Sequence, residues 1–217
     1  MPPDAERLGP QAWILRGFAR DAATALAADL EAVITRAPLR HMETPGGGRM
    51  SVAMTNCGRL GWTSDRRGYR YAREDPDSGA PWPAIPDRLA RLAHDAAQRA
   101  GFADFTPDAC LVNRYLPGAR LALHQDRDER DFAAPIVSVS LGLPAVFLFG
   151  GHSRRDRPVR TPLLHGDVVV WGGEDRLRYH GVAPLPTRHP PEADLLAADL
   201  PPLFSGQRIN LTLRKAG

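Results

Sequence analysis

The sequence predicts an α+β protein, mainly β, in which two helices precede a jelly-roll or cupin-like barrel. Two stretches of helical period lie within the first hundred residues, and after them come short strand-like runs separated by turn residues. Pro and Gly are abundant, at 21 and 20 of 217 residues, as a β-rich chain with many turns requires. A chain of this length can bury a substantial core and is expected to form one domain.

Residues 1–11 carry no period and read as a disordered lead, which leaves 12–217 as the single domain. Residues 12–18 read as a strand. A helix follows over about 21–36, because Ala23, Leu26, Leu30 and Val33 recur at helical spacing and Asp21 is a candidate N-cap. Gly46-Gly47-Gly48 breaks the chain, and 49–55 resumes as a strand. Between 58 and 86 lies a polar, aromatic stretch with Trp62, Tyr69, Tyr71 and Trp82 and little periodicity. So long an aperiodic stretch in a compact domain points to a functional loop or lid. A second helix is expected over about 87–100, with Gly101 as its stop. Beyond it, strands are expected near 109–115, 120–124, 136–141, 145–149, 160–163, 167–171, 178–183 and 207–214. The 183–205 connection is rich in proline and poor in period.

The 28 basic residues are almost all arginine, Lys215 being the only lysine, against 25 acidic ones. A net charge of +3 and a pI near 9.2 are compatible with nucleic-acid binding without requiring it. Cys57 and Cys110 lie far apart with no metal-binding spacing, which argues against structural zinc and for free thiols in a reducing cytosol. No signal peptide pattern and no apolar run of membrane-spanning length is seen, so a cytoplasmic protein without membrane contact is expected.

The chemistry is concentrated at Leu121-Ala122-Leu123-His124-Gln125-Asp126 and at His180. Residues i and i+2 of a strand share a face, so His124 and Asp126 can grip one metal from one strand, with His180 supplied by a distant strand folded alongside. Two histidines and one carboxylate form the facial triad of non-haem iron(II) oxygenases, which leaves metal positions open for a co-substrate and dioxygen. His-x-Asp alone is a weak motif. Its company strengthens it. From Arg208 to Arg214 polar and apolar residues alternate, so Arg208, Asn210, Thr212 and Arg214 share one face. Alone, such a segment reads as an edge strand with its polar side in water. With the triad upstream, it reads as two arginines and an amide pointing into a barrel to hold a dicarboxylate, since a guanidinium forks onto carboxylate oxygens. Asn113 and Tyr115 likewise share a face and offer an amide and a phenol to the same pocket.

With these residues in place the chain resembles the AlkB family of 2-oxoglutarate- and iron-dependent dioxygenases, which repair alkylated nucleic acids. The resemblance rests on His124-x-Asp126, His180, Asn113-x-Tyr115 and Arg208-x-Asn210-x-x-x-Arg214, and it extends from about Trp13 to Arg214. Further blocks carry it: Met50-Ser-Val-Ala-Met54-Thr-Asn-Cys57-Gly, Gly61-Trp62-Thr, Gly68-Tyr69-Arg-Tyr71, the segment from Pro135 to Pro144, and the segment from His165 to Glu174. It implies a double-stranded β-helix core with the metal inside one mouth and 58–86 as a nucleotide-recognition lid. It implies Fe(II) at His124, Asp126 and His180. The keto-acid end of 2-oxoglutarate would chelate the iron, and Arg208 would pair its far carboxylate. Asn113, Tyr115, Asn210 and Arg214 would complete that site. Dioxygen is the other co-substrate, and the products are succinate, carbon dioxide, formaldehyde and the plain base.

The implied lesions, 1-methyladenine and 3-methylcytosine, cannot pair normally and carry positive charge, so they are cheap to extrude from a duplex. By resemblance Trp62 stacks on one side of the flipped base and the His124 ring on the other. Asp128 would set a carboxylate beside the cationic ring; alone, it reads as a solvated charge in an acidic turn with Glu129 and Asp131. Tyr69, Arg70, Tyr71 and Arg154 would contact the nucleic-acid backbone. The expected partner is alkylated single- or double-stranded DNA, with RNA as a further candidate, and the expected state is a monomer. Two other readings remain at this stage. A hydroxylase of a protein side chain or small metabolite would keep the triad and Arg208 but would not need Trp62, Tyr69 and Asp128. A non-catalytic cupin-like binding module would show a damaged triad or lack the co-substrate arginine.

Overall fold

The structure, a computed structural model, describes residues 5–187 and 200–217. Strands β1 (Ala5–Gly9) and β2 (Ala12–Leu15) lead into helix α1 (Ala23–Arg36). Strands β3 (Ala53–Gly58), β4 (Gly61–Asp65) and β5 (Gly68–Ala72) precede α2 (Asp87–Arg99). Then come β6 (Ala109–Tyr115), β7 (Leu121–His124), β8 (Ile136–Gly142) and β9 (Ala145–Phe149). The chain continues with β10 (Val159–Leu163), β11 (Val168–Trp171), β12 (His180–Val182) and β13 (Arg208–Arg214). From β6 onward each strand falls within about two residues of a run read from the sequence.

These later strands wind between two antiparallel sheets. One runs β1-β2-β11-β8-β13-β6-β3 and the other β10-β9-β12-β7, so the chain repeatedly crosses from sheet to sheet, as in a jelly roll. Strand β13 shows why the faces differ. It is not an edge strand; it lies between β8 and β6, and all seven of its residues are buried. Ile209, Leu211 and Leu213 join Val137, Val139, Val168, Val170 and Val112 in a core that also takes Leu26, Leu30 and Val33 of α1 and Leu89, Ala93 and Ala97 of α2. Both helices therefore cover the outer face of the larger sheet. The alternate residues of β13 face the space between the sheets, where the polar groups gather. Cys57 and Cys110, opposite each other on β3 and β6, are free thiols in the helix-covered core.

Three expectations need correction. The lead over 1–11 is not disordered where it is described: Ala5–Gly9 pairs antiparallel with β2, and Arg16 binds both Glu6 of β1 and Asp167. That strand has no alternation because it is a half-exposed edge, held by its partner's backbone. Asp21 is not the N-cap of α1; the helix starts after Ala22, and the preceding turn supplies the bond from Ala23 N–H to the Arg20 carbonyl. The 58–86 stretch is not without structure, since β4 and β5 form a hairpin across the two-residue turn Arg66-Arg67. Of the 183–205 connection, 188–199 lie outside the described residues. Among the described residues no helix is long and apolar enough to cross a membrane.

Gly142 closes the β8–β9 turn at φ +84, and a Cβ there would sit 2.2 Å from the Gln207 carbonyl oxygen at the entry to β13. Gly142→Ala therefore combines a left-handed backbone with a clash against main chain. It is expected to destabilise the fold by about 2–4 kcal/mol. Urea unfolding checks this: an unchanged midpoint would show that the turn can relax.

Candidate active site

His124, Asp126 and His180 converge as the sequence predicts, although by a different local route. Strand β7 ends at His124, so Asp126 lies just beyond it in irregular chain rather than on the same strand face. Pairing of β12 with β7 sets His180 opposite His124, with ring centroids 4.4 Å apart. One possible ligand atom from each of the three residues lies within 4.8 Å of the others. The Nδ1 of His124 faces the Ala122 carbonyl at 2.9 Å, and that of His180 faces the Arg178 carbonyl at 3.1 Å. A carbonyl only accepts, so each Nδ1 carries the proton and each Nε2 keeps its lone pair for a metal. The two Nε2 atoms lie 3.5 and 3.7 Å from the Asp126 carboxylate.

The electrostatics suit a cation. Burial alone would raise the Asp126 carboxyl, but Arg214 and the two histidines hold it well below the usual carboxylate range. Burial and the neighbouring His124 push His180 down to about 4, so it is neutral near pH 7. For His124 burial works downward and is outweighed by Asp126, which raises it.

Around the triad lies an open cavity of about 800 Å³. Arg208, Asn210, Asn113 and Tyr115 all line it. Asn210 donates to Ser138 Oγ at 2.8 Å, and Arg208 Nη2 donates to Ser140 Oγ at 2.9 Å. The Arg208 guanidinium sits over the Tyr115 ring at 5.1 Å. Arg208 Nε and Nη1, the Tyr115 hydroxyl and the Asn113 side-chain oxygen are buried without partners. Each unmatched buried group costs about 1–3 kcal/mol, so a cluster of them marks a place kept for a ligand. Two guanidinium N–H groups and a phenol are donors suited to a carboxylate. Burial pushes Tyr115 up to about 12, so its hydroxyl stays protonated and can donate. The residues present thus fit both an iron ion and a dicarboxylate. Arg214 departs from expectation: although it lines the cavity, its Nε and Nη2 donate to Asp126 Oδ2 at 2.9 and 2.7 Å.

At the cavity mouth Trp62 and Tyr69 stack with centroids 5.5 Å apart and planes at 15°. Trp62 Nε1 donates to Asp128 at 2.7 Å, and the main chain of Trp62 is fixed by a reciprocal amide pair with Asn56. Arg154 lines the rim. Two residues expected at a nucleic-acid backbone are engaged elsewhere. Tyr71 turns inward and donates its hydroxyl to buried Glu129 at 2.7 Å, because it shares the inner face of the hairpin with Trp62. Arg70, on the other face, is taken up by Asp65 at 2.7 Å. Glu129 and Arg176, both buried and ion-paired at 3.1 Å, were not singled out from the sequence. Glu129 looks there like part of a solvated acidic turn, and Arg176 like any surface arginine.

The sequence profile of the 2OG-Fe(II) oxygenase superfamily matches residues 11–214. The chain is 55% identical to the alpha-ketoglutarate-dependent dioxygenase AlkB of Escherichia coli, over 99% of its own length and 94% of that protein. It is 45% identical to the AlkB homolog of Caulobacter vibrioides, over 86% of the chain and 80% of that protein. The solved structure of OsALKBH1 superposes with a TM-score of 0.80 at 29% identity, covering 97% of this chain and 99% of the other. Matched along nearly its whole length and carrying the His-Asp-His cluster in a jelly roll, the chain belongs to the AlkB family of the 2OG-Fe(II) oxygenase superfamily.

Proposed function

We propose that this protein removes N-alkyl groups from the bases of nucleic acids, as an Fe(II)- and 2-oxoglutarate-dependent dioxygenase. The observation that carries the reading is the shared cavity. One space holds the metal-ready triad, the unmatched donors of Arg208 and Tyr115, and the Trp62–Tyr69 stack at its mouth.

Bound iron, with 2-oxoglutarate and dioxygen, supplies the oxidation of an N-methyl carbon, yielding succinate, carbon dioxide, formaldehyde and the plain base. The protein's own residues hold and orient. His124, Asp126 and His180 hold the metal, and Arg214 keeps Asp126 ionised and aimed. Arg208 and Tyr115 take the far carboxylate of 2-oxoglutarate, with Asn113 and Asn210 completing the pocket. Residues 58–86, built on the β4–β5 hairpin, act as the nucleotide-recognition lid. Trp62 presents its indole face to the extruded base, where a cationic ring gains about 1–2 kcal/mol. Asp128 holds that indole and adds negative charge beside 1-methyladenine or 3-methylcytosine. Tyr69 and Arg154 meet the sugar-phosphate chain. The substrate is alkylated DNA, single- or double-stranded, and RNA offers the same base and backbone chemistry.

Formaldehyde release from a single-stranded oligonucleotide carrying one 1-methyladenine tests the reading, with iron(II), 2-oxoglutarate and ascorbate present. Release is expected in the wild type and none in Asp126→Ala. Succinate formation with the lesion intact would move the substrate to a protein side chain or small metabolite. Arg208→Ala is expected to raise the KM for 2-oxoglutarate about 100-fold, since a buried charge pair is worth several kcal/mol; an unchanged KM would place the co-substrate elsewhere. Trp62→Ala should raise the KM for the oligonucleotide about tenfold or more, in line with about 1–3 kcal/mol per stacked base. Turnover of 2-oxoglutarate without nucleic acid should be unaffected, and its parallel loss would count against a stacking role.

A further inference from the structure

The residues of the metal cluster come from two stretches far apart in sequence, and side chains stitch those stretches together where strand pairing stops. Pairing of β7 with β12 covers His124 and His180 but not Asp126. Arg176 stands four residues before His180, just after the short 3-10 turn Gly173–Asp175. Its Nη1 donates to the main-chain carbonyl of Asp126 at 2.9 Å. In return the side chain of Gln125 donates to the carbonyl of Leu177. The other nitrogens of Arg176 reach Glu129 Oε2 at 3.1 Å and the Ala134 carbonyl at 3.2 Å, and its face lies on Phe132. The residue is 2% exposed.

We propose that Arg176 is a positioning residue for Asp126. It acts on Asp126 through the backbone, by holding that residue's own carbonyl, and through charge, by keeping Glu129 occupied. The second route matters because Glu129 Oε1 already lies 3.4 Å from Arg214 Nε, the group that grips the Asp126 carboxylate. Without Arg176, Glu129 keeps the Tyr71 hydroxyl and draws Arg214 away from Asp126. Three different guanidinium nitrogens meet the two carbonyls and the carboxylate, whereas a lysine ammonium would have to meet all three from one nitrogen. The inference rests on reading His124, Asp126 and His180 as the metal centre.

Cobalt(II) titration of the metal-free full chain, followed by its visible absorption, tests this without turnover. Arg176→Met is expected to weaken cobalt affinity about tenfold or more, as loss of a group that orients a metal ligand does, and to alter the absorption band. Arg176→Lys should bring back little of it. Arg176→Met combined with Glu129→Gln removes the unpaired buried charge and its pull on Arg214, so it should regain thermal stability and only part of the affinity, the hold on the Asp126 carbonyl still being lost. If Arg176→Met fails to fold, the lysine and double variants carry the test. Wild-type affinity and absorption in either of them would overturn the proposal, because charge neutralisation alone would then suffice. A wild type that binds no cobalt would instead overturn the metal-centre reading.

Discussion

A polar strand face can be buried inside a sandwich only if its groups find partners, since each stranded one costs about as much as a hydrogen bond. Strand β13 imposes that constraint at the centre of the larger sheet. Its apolar face is absorbed by α1 and α2, which leaves Arg208, Asn210, Thr212 and Arg214 to be satisfied from within the cavity. Ser138 and Ser140 on β8, Asn113 on β6 and Asp126 after β7 answer them. Where the matching fails, at Arg208 Nε and Nη1, the fold has kept room for a ligand. Site and architecture are therefore two outcomes of one alternating sequence.

The strands of the jelly roll and the cluster of ligating residues were legible because their signals are local. Turn residues punctuate the strands, and the alternation in 208–214 survives folding unchanged. What escaped depends on partners distant in the chain. Strand β1 exists because β2 offers an open edge, and the β4–β5 hairpin lacks an apolar stripe because its inner face packs against polar groups. Asp126 reaches the two histidines without sharing a strand face with His124: the strand stops at His124, and side chains take over. Arg176 and Glu129 carried no signal, since a buried ion pair and two solvated charges look alike in sequence.

Two carboxylates and two guanidiniums share this buried region, and their charges balance only as a set. Arg214 serves Asp126 first and Glu129 second, while Arg176 serves Glu129 and the backbone. Removing any one member leaves an unpaired buried charge, which costs more than the pair contributes. Through Tyr71 the same set reaches the hairpin, so the placement of β4–β5 and that of Asp126 are mechanically joined.

The ring pair at the cavity mouth has an energetic consequence of its own. Trp62 is fixed at its backbone by Asn56 and at its ring by Asp128, whereas Tyr69 is half exposed and stacks on that ring. One face of the indole is therefore already covered by an aromatic ring. An aromatic pair of this kind is worth about 0.5–1.5 kcal/mol, against about 1–3 kcal/mol for a stacked base. A planar ligand that took this face would first have to displace Tyr69, so the pair sets the energy such a ligand must exceed.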